Sequence, residues 1–231
     1  MLNVVYEDNQ ILVVIKPQNI LTQSDITKDE DLLSMCKNYI KEKYNKPGEA
    51  YLGMVQRLDR PTGGLIVFAR NSKSAKRLCE AIKEGDFKKE YLTVVCGTPK
   101  LPSGNIKNYL KKDTINNIVK IVPSSEEDAK QASLNYNVLE TKNNLSLLKI
   151  DLETGRSHQI RVQMQSLKTP VYGDKKYGSS TSSSKLALWA FNLEFTHPTT
   201  GKLMRFICLP DIEEKPWNMF DKTINKLSYI I

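Results

Sequence analysis

Gln56-Arg57-Leu58-Asp59-Arg60-Pro61-Thr62-Gly63-Gly64, followed by Leu65-Ile66-Val67-Phe68, is the stretch on which the reading of this chain turns. One carboxylate stands between two arginines, a Pro/Gly turn follows, and an apolar run closes the stretch as a buried strand. Asp59, so flanked, is expected to stay ionised, because nearby positive charge favours the charged form. That suits a nucleophile or an electrostatic stabiliser better than a general acid. Taken alone, the stretch reads better as a surface Arg–Asp pair at a hairpin, since structural ion pairs also perturb carboxylates. The rest of the chain has to decide.

Around this stretch lie 231 residues, 40% of them hydrophobic, enough to fill a sizeable core. Lys and Arg total 34 against 26 Asp and Glu, a net charge of +8. Such a balance attracts polyanions, nucleic acid first and acidic membrane second. Cys36, Cys79, Cys96 and Cys208 are dispersed, with no C-x-x-C pair and only His158 and His197 beside them, so no metal site is expected. Their spread suits reduced, mostly buried thiols of an intracellular protein, and a cytoplasmic location is expected. The start Met1–Asp8 lacks a basic region and a long apolar region, and no apolar run reaches 18 residues, so neither a signal peptide nor a membrane span is expected.

Working outward, Val4–Tyr6 and Ile11–Ile15 read as two strands, the second ended by Lys16-Pro17. Thr27 and Glu30 form a capping box for a helix over about residues 29–44, with Leu32, Leu33, Cys36, Tyr39 and Ile40 inward. A strand is expected to lead into Asp59, a turn to occupy Pro61–Gly64, and a strand to run on to Arg70. Asn71-Ser72 then caps a helix striped by Ala75, Leu78, Cys79 and Ile82 and closed by Gly85. Lys88–Val95 reads as a strand. Residues 98–131, polar and rich in turns, read as a variable excursion with a short hairpin. Ala132–Leu139 and Leu145–Leu152 pair around Lys142-Asn143-Asn144.

From Ser157 a helix is expected, with Ile160, Met164 and Leu167 inward and His158, Arg161 and Gln165 sharing another face. A glycine turn into a basic helix start is a sound anion site. Pro170–Gly178 reads as a turn-dense segment and Ser179–Ser184 as a mobile loop. Leu186–Phe195 and Lys202–Cys208 form a hairpin whose turn His197 serves, and a short packed helix follows Pro216. Scattered strands and few helices argue for an α+β fold, with no compositional break that demands two domains.

Three segments together resemble the RluA-type RNA pseudouridine synthases, whose catalytic pattern is roughly H-R-L-D-x-x-T-S-G. Gln56-Arg57-Leu58-Asp59 through Thr62-Gly63-Gly64 matches that pattern. Lys89-Glu90-Tyr91 resembles the family's K-x-Y element, and Gly155–Arg161 carries its G-R-x-H-Q-I-R element in full. Two positions depart: Gln56 stands for the usual histidine and Gly63 for the usual serine. Gln56 can hydrogen-bond but cannot carry charge.

The resemblance implies a mixed, largely antiparallel central β-sheet with flanking helices, and one catalytic domain over 1–231 without an N-terminal S4 RNA-binding module. It implies isomerisation of uridine to pseudouridine on a flipped-out nucleotide, without a cofactor. Asp59 would be the catalytic carboxylate, Arg161 would pair with it, and Tyr91 would stack on the uracil. Arg57, Arg60, Arg156, His158 and Gln159 are the candidates for contacting RNA. An rRNA or tRNA stem-loop is the expected partner, because unpaired bases are flipped more cheaply. A monomer with no obligate protein partner is expected. The alternative is a non-catalytic RNA-binding or chaperone protein on the same scaffold, motivated by Gln56 and Gly63.

Overall fold

A computed structural model describes residues 2–25, 29–45, 47–178 and 185–229. In chain order these form β1 (Asn3–Glu7), β2 (Ile11–Lys16), α1 (Leu32–Lys43), β3 (Gly53–Met54), β4 (Gly63–Ala69), α2 (Ser72–Glu84) and β5 (Phe87–Cys96). Then come β6 (Ser103–Asp113), β7 (Ile118–Val122), β8 (Lys130–Lys142), β9 (Leu145–Leu152) and α3 (Gln159–Ser166). The chain closes with β10 (Leu188–Thr196), β11 (Leu203–Ile207) and α4 (Asp221–Lys226). This is an α+β fold of largely antiparallel strands, as the sequence suggests. Two compact units divide it: Met1–Lys88 with Ala190–Cys208, and Lys89–Trp189 with Leu209–Ile231.

In the first unit β2 pairs antiparallel with both β1 and β4, and the register sets Lys16 opposite Gly64. The unbroken apolar runs in β2 and β4 are explained by burial on both faces. Ile11 and Val13 of β2, with Leu65 and Val67 of β4, join Leu78 of α2, Leu193 and Phe195 in one core cluster. Leu12, Val14, Ile66 and Phe68 turn the other way, onto Leu32, Cys36 and Ile40 of α1. Burial pushes the Cys36 thiol up to about 12, so it packs as a small hydrophobe. Gly64 at φ 116° is obligatory, since a Cβ there would overlap the Ala190 backbone.

Helix α1 buries the expected face, and the ends of the two helices differ in instructive ways. The expected cap at Thr27 lies outside the described residues. The observed N-cap of α1 is Asp31, whose carboxylate accepts from Ser34 N at 3.0 Å and Ser34 Oγ at 2.7 Å, so the helix starts later than the expected residue 29. Asn71 caps α2 by accepting from Ser74 N at 2.8 Å, and Gly85 ends it in the left-handed conformation, both as expected. Cys79 is exposed, and the inward stripe runs instead through Ala75, Leu78, Ala81 and Ile82. The strand expected to lead into Asp59 is confined to Gly53–Met54. His197 serves the β10–β11 turn, its Nδ1 accepting from the amides of Thr199 and Thr200.

The second unit carries an antiparallel sheet in the order β5-β9-β8-β6-β7. The β8–β9 turn places Asn143 and Asn144 both at positive φ, which asparagine tolerates and a two-residue hairpin turn requires. The largest difference from the sequence reading lies in residues 98–131. The expected hairpin is β6–β7, and its eleven-residue first strand also pairs with β8 from Ser103↔Asn137 to Leu110↔Lys130. Leu110 and Val119 then join Ala132, Val162 of α3 and Tyr177 in one core cluster. Lysines and asparagines hid this strand, because only Ile106 and Leu110 of its residues are buried. Ser179–Ser184, expected to be a mobile loop, lies outside the described residues.

Candidate active site

The segment after β2 builds the cradle for the Asp59 loop. Lys16 is fully buried, and its ammonium donates to the carbonyls of Pro17 (2.9 Å), Ile20 (2.6 Å) and Arg60 (3.0 Å). Gln18 Nε2 donates to Pro61 O at 2.9 Å, and Asn19 N donates to Arg60 O at 2.8 Å. Thr22 Oγ1 donates to Leu58 O at 2.8 Å and accepts from Leu58 N at 3.2 Å. Thr62 N closes a turn onto Asp59 O at 2.9 Å, and Gly63 already belongs to β4. The expected turn at Pro61–Gly64 therefore begins two residues earlier. Burial drives the Lys16 pKa down to about 7, the field of the Asp59 carboxylate partly opposing that shift and Arg60 adding to it.

Asp59 itself is partly buried at the tip of this braced loop. Its two sequence neighbours differ. Arg60 is tied down, Nη1 lying 2.8 Å from Asp29 Oδ2 and Nε donating to Asn19 O at 3.1 Å. Arg57 is exposed and forms no hydrogen bond or ion pair among the described residues. Gln56 Nε2 and Thr62 Oγ1 are buried without a hydrogen-bond partner among those residues.

In the second unit the centre is Arg161, on α3 and only 5% exposed. Its Nε and Nη2 each lie 2.7 Å from one oxygen of Asp174, a bidentate buried pair. Asp174 Oδ1 also accepts from the amides of Lys176 (3.0 Å) and Tyr177 (3.1 Å), so the turn holds the carboxylate that holds the arginine. The guanidinium stands 5.0 Å over the Tyr177 ring. Tyr177 OH accepts from Val119 N at 2.9 Å and lies 2.7 Å from His158 Nδ1. Gln163 Nε2 donates to Ile106 O at 3.2 Å and Asn108 Oδ1 at 3.0 Å, fixing α3 on β6. Residues 106–119 thus anchor the arginine helix.

Tyr91 lies on β5 opposite Ile150 of β9 and is 6% exposed. Phe87, Lys89 and Tyr91 are buried, while Lys88 between them is exposed, which places Lys89 and Tyr91 on one strand face. Arg156 is exposed, its Nε donating to Gln131 O at 2.9 Å.

His158 and Gln159 are buried, 8% and 3% exposed. Gln159 Oε1 accepts from Arg156 N (3.0 Å) and Thr154 Oγ1 (2.8 Å), while its Nε2 donates to Ser133 O at 3.0 Å. His158 adopts a left-handed conformation and ends the turn before α3, so it does not share a helix face with Arg161. The helix is buried from Gln159 to Met164, not along a single stripe. Sequence reasoning missed Lys16, Thr22, Asp174 and Tyr177. The only signal for Asp174 was a lone carboxylate in a turn-dense segment, and its meaning depends on an arginine from another element. Among the described residues no group of three or more His, Cys, Asp or Glu could hold a metal ion, and no helix is long and apolar enough to cross a membrane.

Comparison with known proteins bears on this arrangement. The pattern of the RNA pseudouridylate synthase family matches residues 10–166, which takes in Asp59, Tyr91 and Arg161. An uncharacterized RNA pseudouridine synthase of Mycoplasma pneumoniae is 34% identical over 89% of this chain and 65% of its own length. A ribosomal large subunit pseudouridine synthase D of Borreliella burgdorferi is 32% identical over 83% of this chain and 60% of its own. The Vibrio cholerae protein of the same description is 32% identical over 89% and 66%. The chain thus spans roughly two thirds of the length of these relatives or less. Human RNA pseudouridylate synthase domain containing 4 superposes with a TM-score of 0.75 over 98% of this chain and 93% of that one, at 20% identity, a likeness of fold.

Proposed function

Since the chain belongs to the RNA pseudouridylate synthase family, of the RluA type, we propose that it isomerises uridine to pseudouridine in structured RNA. One observation carries this reading: a single family match runs through all three motif segments in order, 10–166. The reaction breaks the C1′–N1 bond, forms a C1′–C5 bond, releases the C5 proton and leaves N1 protonated. Atoms and electrons balance within the substrate, so no electron or group carrier is called for.

Asp59 is the carboxylate in this reading, attacking the base or ribose, or stabilising the sugar once the base departs. The cradle from Lys16 to Thr22 supports that role by fixing the backbone on both sides of Asp59. Arg161, gripped by Asp174, supplies the positive charge that an ionised carboxylate needs. Tyr91 stacks on the uracil, and its hydroxyl takes part in removing the C5 proton. The nucleotide is flipped out at a cost of a few kcal/mol. Arg57, exposed and unengaged, is the better of the two flanking arginines for occupying the vacated space. Arg60 and Arg156 reach phosphates beside it, whereas His158 and Gln159 support the turn before Arg161 from within.

Large-subunit rRNA is the substrate class we assign, on the descriptions of the Borreliella and Vibrio relatives, with a cytoplasmic location as part of the same reading. The Gln56 and Gly63 departures favour the second reading, a non-catalytic RNA binder. Incubating the protein with an unmodified large-subunit rRNA transcript and mapping pseudouridine by carbodiimide-dependent reverse-transcription stops separates the two. New stops support the synthase; tight binding without any stop supports the binder.

A further inference from the structure

Lys89 carries a charge for which the fold supplies no partner. It sits in β5 with 7% of its surface exposed, and among the described residues its ammonium forms no hydrogen bond and no ion pair. Its stem is buried while Nζ keeps access to solvent, so a charge without a partner among the described residues is held at an open position. The neighbouring carboxylates do not answer it. Glu90 is taken by Lys149, at 3.0 Å. Asp151 acts on it only through its field, and the Asp151 pKa is itself raised, by burial first and then by Glu90 and Glu153. Burial pushes the Lys89 pKa down, with Asp151 opposing.

Gly155 bears on what this ammonium is for. A Cβ built at that exposed glycine would meet one atom within 4 Å, Lys89 Nζ at 3.7 Å. A Cβ at that distance is in ordinary van der Waals contact with the ammonium, so glycine leaves the space beside Nζ unfilled. The exposed Arg156 follows directly, its Nε spent on Gln131 O. Lys89 also shares its strand face with Tyr91. An unpaired cation, opened by a glycine and aligned with the residue assigned to stack on uracil, calls for an anionic oxygen from the substrate.

We propose that Lys89 and the open face of Gly155 form a phosphate subsite, taking the phosphodiester beside the uridine that is modified. This rests on the RNA reading of the protein given above. RNA carries that anion on every nucleotide, and a buried lysine opposite a phosphate completes its charge only when RNA is bound.

The salt dependence of RNA binding tests this. Filter binding of an unmodified large-subunit rRNA transcript, measured between about 50 and 200 mM salt, reports the number of phosphates neutralised. Lys89→Met is expected to make the log–log slope shallower by about 0.7, the value for one contact to a single strand. Gly155→Ala keeps the lysine but fills the space beside Nζ, and is expected to move the slope in the same direction; Lys89→Arg is expected to retain most of it. Thermal melting accompanies each variant. A wild-type slope in Gly155→Ala together with either a wild-type slope or a lost fold in Lys89→Met overturns the subsite. Pseudouridine formed by the wild-type protein, scored on the same transcript, keeps the two readings apart. A reduced slope in both variants with no pseudouridine from wild type upholds the subsite and defeats the synthase. Pseudouridine from wild type with unchanged slopes does the reverse.

Discussion

Asp59 and Arg161 are held by opposite means, and the contrast shows what each can tolerate. The Asp59 loop is braced through its backbone: Lys16, Gln18 and Thr22 bind the carbonyls of Arg60, Pro61 and Leu58, leaving the Asp59 side chain outside these contacts. Arg161 is braced through its side chain, both Nε and Nη2 bound to a carboxylate that is itself fixed by two amides. The backbone bonds that brace the loop therefore do not run through the Asp59 functional group. The arginine cannot be touched, nor its partner, without disturbing the core.

Breaking the arginine clamp gives the largest effect expected. Asp174→Ala removes one member of a buried, bidentate ion pair and should destabilise the second unit by about 3–5 kcal/mol. Urea titration followed by far-UV circular dichroism checks this. A loss below about 1 kcal/mol would mean that the pair is not what holds Arg161.

Lys16 gives an intermediate effect with a particular pH signature. Its pKa falls from 10.5 to about 7 on folding, so between those values the unfolded chain binds more protons than the folded one. Stability contributed through this group therefore rises as pH climbs from about 7 towards 10.5, and is flat below 7 where both states are charged. Lys16→Met removes this dependence. The difference in unfolding free energy between wild type and Lys16→Met should shift in favour of wild type from pH 7 to pH 10. Parallel pH profiles would show that Lys16 is not desolvated as its burial indicates.

The smallest effect belongs to Arg60. Its ion pair with Asp29 is half exposed, with side-chain exposures of 48% and 47%. Arg60→Ala should change stability by less than about 1 kcal/mol, the usual range for such pairs. A larger loss would move Arg60 from the RNA-facing group into the cradle.

How far the sequence could be read divides along the same line. Motifs whose meaning is local were legible: the Asn71 and Gly85 helix ends, the doubly buried β2 and β4, the His197 turn, and the three segments that carry the family resemblance. What stayed hidden depends on partners distant in the chain. Lys16 looked like the polar end of a strand, because nothing nearby shows that its ammonium turns inward onto three carbonyls. Asp174 looked like a turn residue until α3 brought Arg161 to it. Residues 98–131 looked peripheral because β6 buries only Ile106 and Leu110 among its lysines and asparagines. His158 was expected to share a helix face with Arg161, whereas it ends the preceding turn in the left-handed conformation.

The yield of pseudouridine from Asp59→Asn tests the central claim most directly. The substitution keeps the side-chain shape and the cradle's backbone bonds, so the protein should melt as wild type does and still bind the large-subunit rRNA transcript. Its single-turnover yield, mapped by carbodiimide stops, should fall to background at the site that wild type modifies. Product at that site from the folded Asp59→Asn protein would contradict the assignment of the chemistry to this carboxylate.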